Sequence, residues 1–309
     1  MAGARVVARA MKRDWRLDWA FPALGRAPTT LPWRVVHLVG RDAPPVRRAT
    51  EQFLQSQFGK IFPASSEEQR QLWARAHLNM LAAEMLDASA LHRLGQPGGP
   101  GIALTGWEHV RVLQERGQGF ILVLNHYDRL LTAVIALGRR GVRLNILTMP
   151  VLENPHLGES QRAFLMRKIA SITAITGGQW RVSSEPLRPV HEGLRRGQAW
   201  VILADAWSPD FARMRDHPFL GGYLRLPTGI ERLAQSTGAP LLHGCTRSLA
   251  PDKLTVEVEA ISGTPQAAID TIVSRLERDV RERPWAWWHW GLWDQMWRTA
   301  TCEGEKCPI

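Results

Sequence analysis

Cysteine is scarce in this chain, with 3 in 309 residues. Cys245, Cys302 and Cys307 are too few and too unevenly spaced for a disulfide framework, which excludes the small disulfide-stapled class. Cys302 and Cys307 lie in the tail TCEGEKCPI, where no further His or Cys completes a zinc set, so a solvated tail without metal is expected. No apolar run reaches the roughly 18–20 residues that span a bilayer. The opening MAGARVVARAMKRDW has no uninterrupted apolar stretch of secretory-signal type. A cytoplasmic protein, or one held at a membrane surface, is the expectation. Gly-x-Ser-x-Gly, Walker A and His-Glu-x-x-His are all missing, which removes the nucleophile-elbow, P-loop and zinc-protease readings.

What is there is a globular composition, 45% hydrophobic and 22% charged, which argues against wholesale disorder. The net charge of +10 is concentrated at one end: residues 1–50 hold ten Arg or Lys against three Asp. These cations are interleaved with Trp15, Trp19, Phe21 and Trp33. Indoles favour the membrane interface and guanidinium groups pair with phosphate, so the stretch suits a peripheral anionic membrane surface. A nucleic-acid arm would also be basic, but no nucleic-acid module follows it, and no such partner is expected. A plain solvated basic terminus is the third reading.

Residues 1–20 have the pattern of a basic amphipathic helix, after which Pro22, Pro28, Pro32, Pro44 and Pro45 break the chain. Arg47–Phe58 looks helical. Ser65 and Glu68 read as a capping box for a helix that puts Leu72, Ala76, Met80, Ala83 and Leu86 on one face. GQPGGPG at 95–101 is the clearest linker. The expected organisation is a helical lead-in over 1–95, an α/β core over 102–297 and a flexible tail over 298–309, in one compact unit. Within the core, helices over 106–116, 130–140, 158–169, 185–196 and 228–236 alternate with strands over 120–124, 143–148, 171–176, 199–204, 240–245 and 254–259. Phe164, Leu165 and Met166 are expected to face inward. Thr264-Pro265 caps a last helix with Ile269, Ile272, Leu276 and Val280 inward. This alternation predicts an α/β fold, a central mostly parallel sheet flanked by helices.

Two apolar strand runs end in polar residues, FILVL before Asn125-His126-Tyr127-Asp128 and AWVILA before Asp205. Open α/β sheets place ligands at such carboxyl ends. A neutral histidine there can take a proton from a hydroxyl or amine, and a carboxylate partner fixes its tautomer. His126 is the candidate base, with Asp128 and Asp205 both open as its partner. Arg213 and Arg215, in the loop leading to HPFLGG, are candidates to grip phosphate. Asn125 is a candidate to orient His126 or to donate to an oxyanion.

These residues resemble the bacterial lipid A biosynthesis acyltransferases, within the lysophospholipid acyltransferase fold. The resemblance spans roughly residues 50–297 through FPAS, GFILVLNH, ENPHLGESQRAFLMRK, LRRGQAWVILADA, HPFLGGYLRLPTGIERLAQSTGAPLLHG and RPWAWWHWGLW, the last like a closing Pro-x-x-Trp-x-Trp stretch. It implies transfer of a fatty acyl group from an acyl carrier protein or coenzyme A thioester to a lipid or small-molecule acceptor. No bound cofactor and no metal are implied. The implied location is the cytoplasm, peripheral on the cytoplasmic face of the inner membrane. The family signature is His-x4-Asp/Glu with the histidine as general base, but the acid position here is Leu131. Asp205 matches the family's second acidic position, so either it or Asp128 supplies the acid, or the site is repurposed. A non-catalytic lipid binder on the same fold and a thioester hydrolase are the rival functions. The six tryptophans from Trp285 to Trp297 are expected to form either a lid or interfacial belt, or a helix docked on the sheet, because so many indole N–H groups need partners.

Overall fold

A computed structural model describes residues 13–40, 42 and 44–299. Residues 1–12 of the expected basic helix, and the tail cysteines Cys302 and Cys307, lie outside the described residues. Helices α1 (Phe21–Arg26), α2 (Leu31–Val39), α3 (Pro44–Ile61) and α4 (Glu67–Ser89) come first. Then follow β1 (Gly101–Thr105), α5 (Trp107–Glu115), β2 (Phe120–Leu124), α6 (Leu131–Gly138) and β3 (Leu144–Thr148). Next are α7 (Glu159–Thr176), β4 (Trp180–Val182), α8 (Arg188–Arg195) and β5 (Ala199–Leu203). A hairpin, β6 (Met214–Phe219) and β7 (Gly222–Pro227), precedes α9 (Gly229–Thr237), β8 (Leu241–Ala250), β9 (Lys253–Ile261) and α10 (Pro265–Glu282). The chain closes with α11 (Trp293–Met296) and β10 (Trp297–Thr299).

The main sheet has seven strands in the order β1-β9-β8-β2-β5-β3-β4. Strands β8, β2, β5, β3 and β4 run parallel, and β9 turns back antiparallel to β8. The fold is thus α/β with a mostly parallel sheet between helices and a helical N-terminal region. Strand β2 is central and all five of its side chains are buried. Because side chains alternate along a strand, Phe120, Leu122 and Leu124 enter one apolar layer with α4, α5 and α6, while Ile121 and Val123 enter the other with α3, α8, α9 and α10. Each such side chain contributes roughly 1.5–3 kcal/mol by leaving water.

Several local expectations are corrected. Residues 171–176 are the last turns of α7, not a strand, and Gly177 ends that helix with φ of 64°. The cap of α4 is Ser66, whose side chain accepts from the Gln69 N–H, while Ser65 instead donates to Phe62 O. On the same helix Leu72 is exposed, whereas His77, Glu84 and Asp87 are buried, because α1, α2, α3 and α7 all pack against it. Met166 is exposed, with Phe164 and Leu165 half-buried. The chain after the glycine-rich linker continues as an edge strand, β1, paired with β9.

The tryptophan-rich segment is not one long helix but short 3-10 turns followed by α11. Trp287, Trp290 and Trp293 are core residues, 0–2% exposed. Backbone and carboxylate acceptors meet several indoles of the segment: Trp287 donates to the Asp205 carboxylate, Trp288 to Asp128 O, Trp290 to Pro284 O and Trp297 to Phe219 O.

Candidate active site

The parallel register of β2 and β5 pairs Leu124 with Leu203. Carried two residues further, it sets His126 opposite Asp205. Ala204 N–H donates to Leu124 O at 2.8 Å, so the two backbones stay together past the strand ends. His126 Nδ1 lies 2.9 Å from Asp205 Oδ1. The His126 backbone N–H reaches both carboxylate oxygens, at 2.9 and 3.0 Å, and Trp287 Nε1–H donates to Oδ2 at 3.0 Å. His289 Nε2 stands 3.0 Å from His126 Nδ1 and 3.6 Å from Asp205 Oδ2.

Asp205 is fully buried. Burial works to raise its carboxyl, but His126 beside it, with the Trp287 N–H, outweighs burial and holds the group well below the usual carboxylate range. Burial pushes the His289 imidazole down to about 4, against the pull of Asp205, so that ring is neutral. The His126 side chain keeps 20% of its surface exposed. With Nδ1 turned to the carboxylate, Nε2 is the nitrogen left to exchange a proton, which is a histidine–aspartate acid–base arrangement. Among the described residues, His126, Asp205 and His289 are also a group able to hold a metal ion, with ligand atoms within 4.8 Å of one another. The Asp205 oxygens already accept from three N–H groups, so a hydrogen-bonded set accounts for the geometry.

Asp128 is not part of this set. Its backbone has φ of 49°, a left-handed conformation that Asp tolerates better than most residues, and this turns the side chain to the other flank of the turn. There it accepts from Arg129 N–H, Ser248 N–H and the Ser248 hydroxyl, and pairs with Arg283 at 2.9 Å. Leu131 opens α6 and is buried in the apolar layer on one side of the sheet, so an acid there would sit among hydrocarbons. Asn125 is buried beside β8, its Nδ2 donating to His243 Nε2 at 3.1 Å; it does not face His126. Arg215 spends its guanidinium on Glu231, at 2.6 Å, and Asp270, at 2.7 Å, so its fork is taken. Arg213 is exposed and lines an apolar cavity of about 630 Å³.

That cavity is walled by Leu147, Ile202, Phe211, Ile230 and Leu233, and it reaches Leu203 and Ala206 on either side of Asp205 without including Asp205 or His126. Arg213 and Arg232 line it, and no carboxylate does. A larger cavity of about 1260 Å³ lies among the N-terminal helices, far along the chain from the strand ends. Of the arginines that line it, Arg16 and Arg47 are paired with Asp14, Asp42 and Glu51. Sequence reasoning missed His289, Trp287 and Arg232. The first two were hidden in a run of tryptophans, although Pro284-x-x-Trp287-x-His289 puts a histidine where the Pro-x-x-Trp-x-Trp pattern has its second Trp.

A parallel sheet whose neighbouring strand ends join a histidine to a buried aspartate, near an apolar cavity, defines an α/β protein with a histidine–aspartate acid–base pair. The family model for bacterial lipid A biosynthesis acyltransferases matches residues 9–297. The chain belongs to that family, and its activity class is acyl transfer. A search of curated proteins finds no match.

Proposed function

We propose that this acyltransferase moves a fatty acyl group from an acyl carrier protein or coenzyme A thioester to a hydroxyl or amine of a glycolipid or a specialised small molecule. His126 Nε2 takes the proton of the acceptor, and the freed oxygen or nitrogen attacks the thioester carbonyl. The carbon–sulfur bond breaks, and the leaving thiolate takes the proton back from His126. No acyl-enzyme intermediate is formed. The observation that carries this reading is the 2.9 Å contact of His126 Nδ1 with Asp205, an acid supplied from β5 where the His-x4-acid position holds leucine. The apolar cavity suits an acyl chain, and Arg213 at its wall suits an anionic group on donor or acceptor. In this reading the enzyme acts peripherally at the cytoplasmic face of the inner membrane; contact with a membrane surface, though not the choice of face, is supported by the apolar side chains that α2 and the residues before α1 turn outward, Trp15, Trp19, Leu31, Leu38 and Val39 among them.

The test is acylation of lipid and amine acceptors by purified protein with acyl-CoA and acyl carrier protein donors, followed by mass spectrometry and by thiol release. The expected result is acceptor-dependent product that disappears in His126→Ala. Near-wild-type turnover by His126→Ala sinks the mechanism. Thiol release independent of acceptor marks a hydrolase, and co-purified lipid with no release marks a binder.

A further inference from the structure

We infer that His289 is a positioning residue for the base, its Nε2 lone pair acting beside Asp205 as a second acceptor for the Nδ1–H of His126. The inference rests on His126 being the base. Its position follows from the backbone. Residues 286–288 run against the histidine turn as a short antiparallel pair, with Tyr127 bridged to Trp287. Trp288 N–H donates to His126 O at 2.9 Å, and Asp128 N–H donates to Ala286 O at 2.7 Å. His289 follows directly and meets the base edge-on, ring centroids 4.5 Å apart.

Proton placement then follows from what each atom can do. An ionised carboxylate only accepts, so the nitrogen 2.9 Å from Asp205 Oδ1 is favoured as an N–H. His289 Nε2 stands 3.0 Å from that same nitrogen, and two N–H groups cannot point at one another. Nε2 of His289 is therefore the lone pair, and its own proton sits on Nδ1. The opposite assignment, with His289 donating to a bare His126 Nδ1, would aim that lone pair at a carboxylate. The titratable groups facing His289 are His126 and Asp205. Because burial keeps His289 neutral, it adds no second cation when His126 becomes imidazolium. Asp205 divides its charge among the backbone N–H of His126, the indole of Trp287 and the imidazole. A second acceptor adds to the stabilisation of the imidazolium and fixes the tautomer that leaves Nε2 free.

The experiment compares wild type, His289→Ala, His289→Gln and His126→Ala with one thioester donor over a pH series, with circular dichroism as the fold control. A hydrogen bond to a charged group of ordinary strength predicts that His289→Ala loses on the order of tenfold in kcat, with KM nearly unchanged. The acid limb of its kcat profile moves down by about one pH unit, because the imidazolium has lost an acceptor. His289→Gln, whose amide oxygen reaches the place of Nε2, recovers most of the rate. Nitrogen-15 NMR of wild-type protein labelled at histidine shows His126 protonated at Nδ1. A His289→Ala profile superimposed on wild type overturns the inference, as does a wild-type spectrum with His126 bare at Nδ1, whether or not the variants fold. Turnover surviving in His126→Ala removes the base itself, a different failure from an inactive His126→Ala beside an unaffected His289→Ala.

Discussion

Asp205 carries its charge in a fully buried place because it has N–H donors on both oxygens. Asparagine of the same shape would turn an NH₂ toward one of those donors and would favour the wrong tautomer of His126. Asp205→Asn is therefore expected to lower kcat by roughly 10³–10⁴-fold, as loss of the orienting acid does in histidine-based dyads and triads, with little effect on KM. Steady-state kinetics check this, and a loss under tenfold would remove Asp205 from the mechanism. Two other residues set a pH dependence of stability. Burial lowers His243 and His289 from 6.5 to about 4, so between those values the unfolded chain binds more protons than the folded one. Their contribution to stability is intact above pH 6.5 and is lost as pH falls toward about 4. Urea unfolding over that range should show stability falling with pH, less steeply in His243→Gln than in wild type.

The histidine turn connects elements on both sides of the sheet. Arg129, three residues past His126, is 1% exposed and grips Asp87 of α4 through two bonds of 2.5 Å. Asp87 also accepts from Trp33 Nε1 of α2 at 2.7 Å. Arg129→Met strands Asp87 as a buried, unpaired acid and should cost about 3–5 kcal/mol in chemical denaturation. Replacing both partners, Arg129→Met with Asp87→Leu, should recover much of that loss; a double variant as unstable as the single one would contradict this. These elements were unevenly legible. The alternation of helix and strand was readable because β2 and β5 are short apolar runs bounded by polar residues. Residues 171–176 misled because SITAIT is rich in β-branched residues, and the packing of α7 overrode that propensity.

At the scale of the whole molecule, the site depends on strand order, which no local pattern contains. His126 and Asp205 are 79 residues apart and His126 and His289 are 163 apart. The strand ends marked the first two residues as candidates, but choosing Asp205 over Asp128 needed the adjacency of β2 and β5 and the left-handed turn at Asp128. His289 had no strand end to mark it. The N-terminal side of the molecule raises the remaining question of where the enzyme works. Among the described residues no helix is long and apolar enough to cross a membrane. Yet α2 buries Trp33 and Val36 and turns Leu31, Val35, Leu38 and Val39 outward, at 61, 40, 79 and 67% exposure. Trp15 and Trp19 are exposed nearby in sequence, at 67 and 76%. Such side chains gain by entering the interfacial layer of a bilayer, and the basic residues around them gain more if its lipids are anionic. Sedimentation with vesicles should show binding that strengthens with anionic lipid and weakens with salt. Leu38→Asp with Val39→Asp should reduce it at least tenfold while leaving unfolding cooperative and near wild type, because these side chains are mostly exposed and bury little apolar surface. Binding unchanged in the double variant would place the membrane contact elsewhere, and no binding to any vesicle would leave acyl transfer to soluble acceptors.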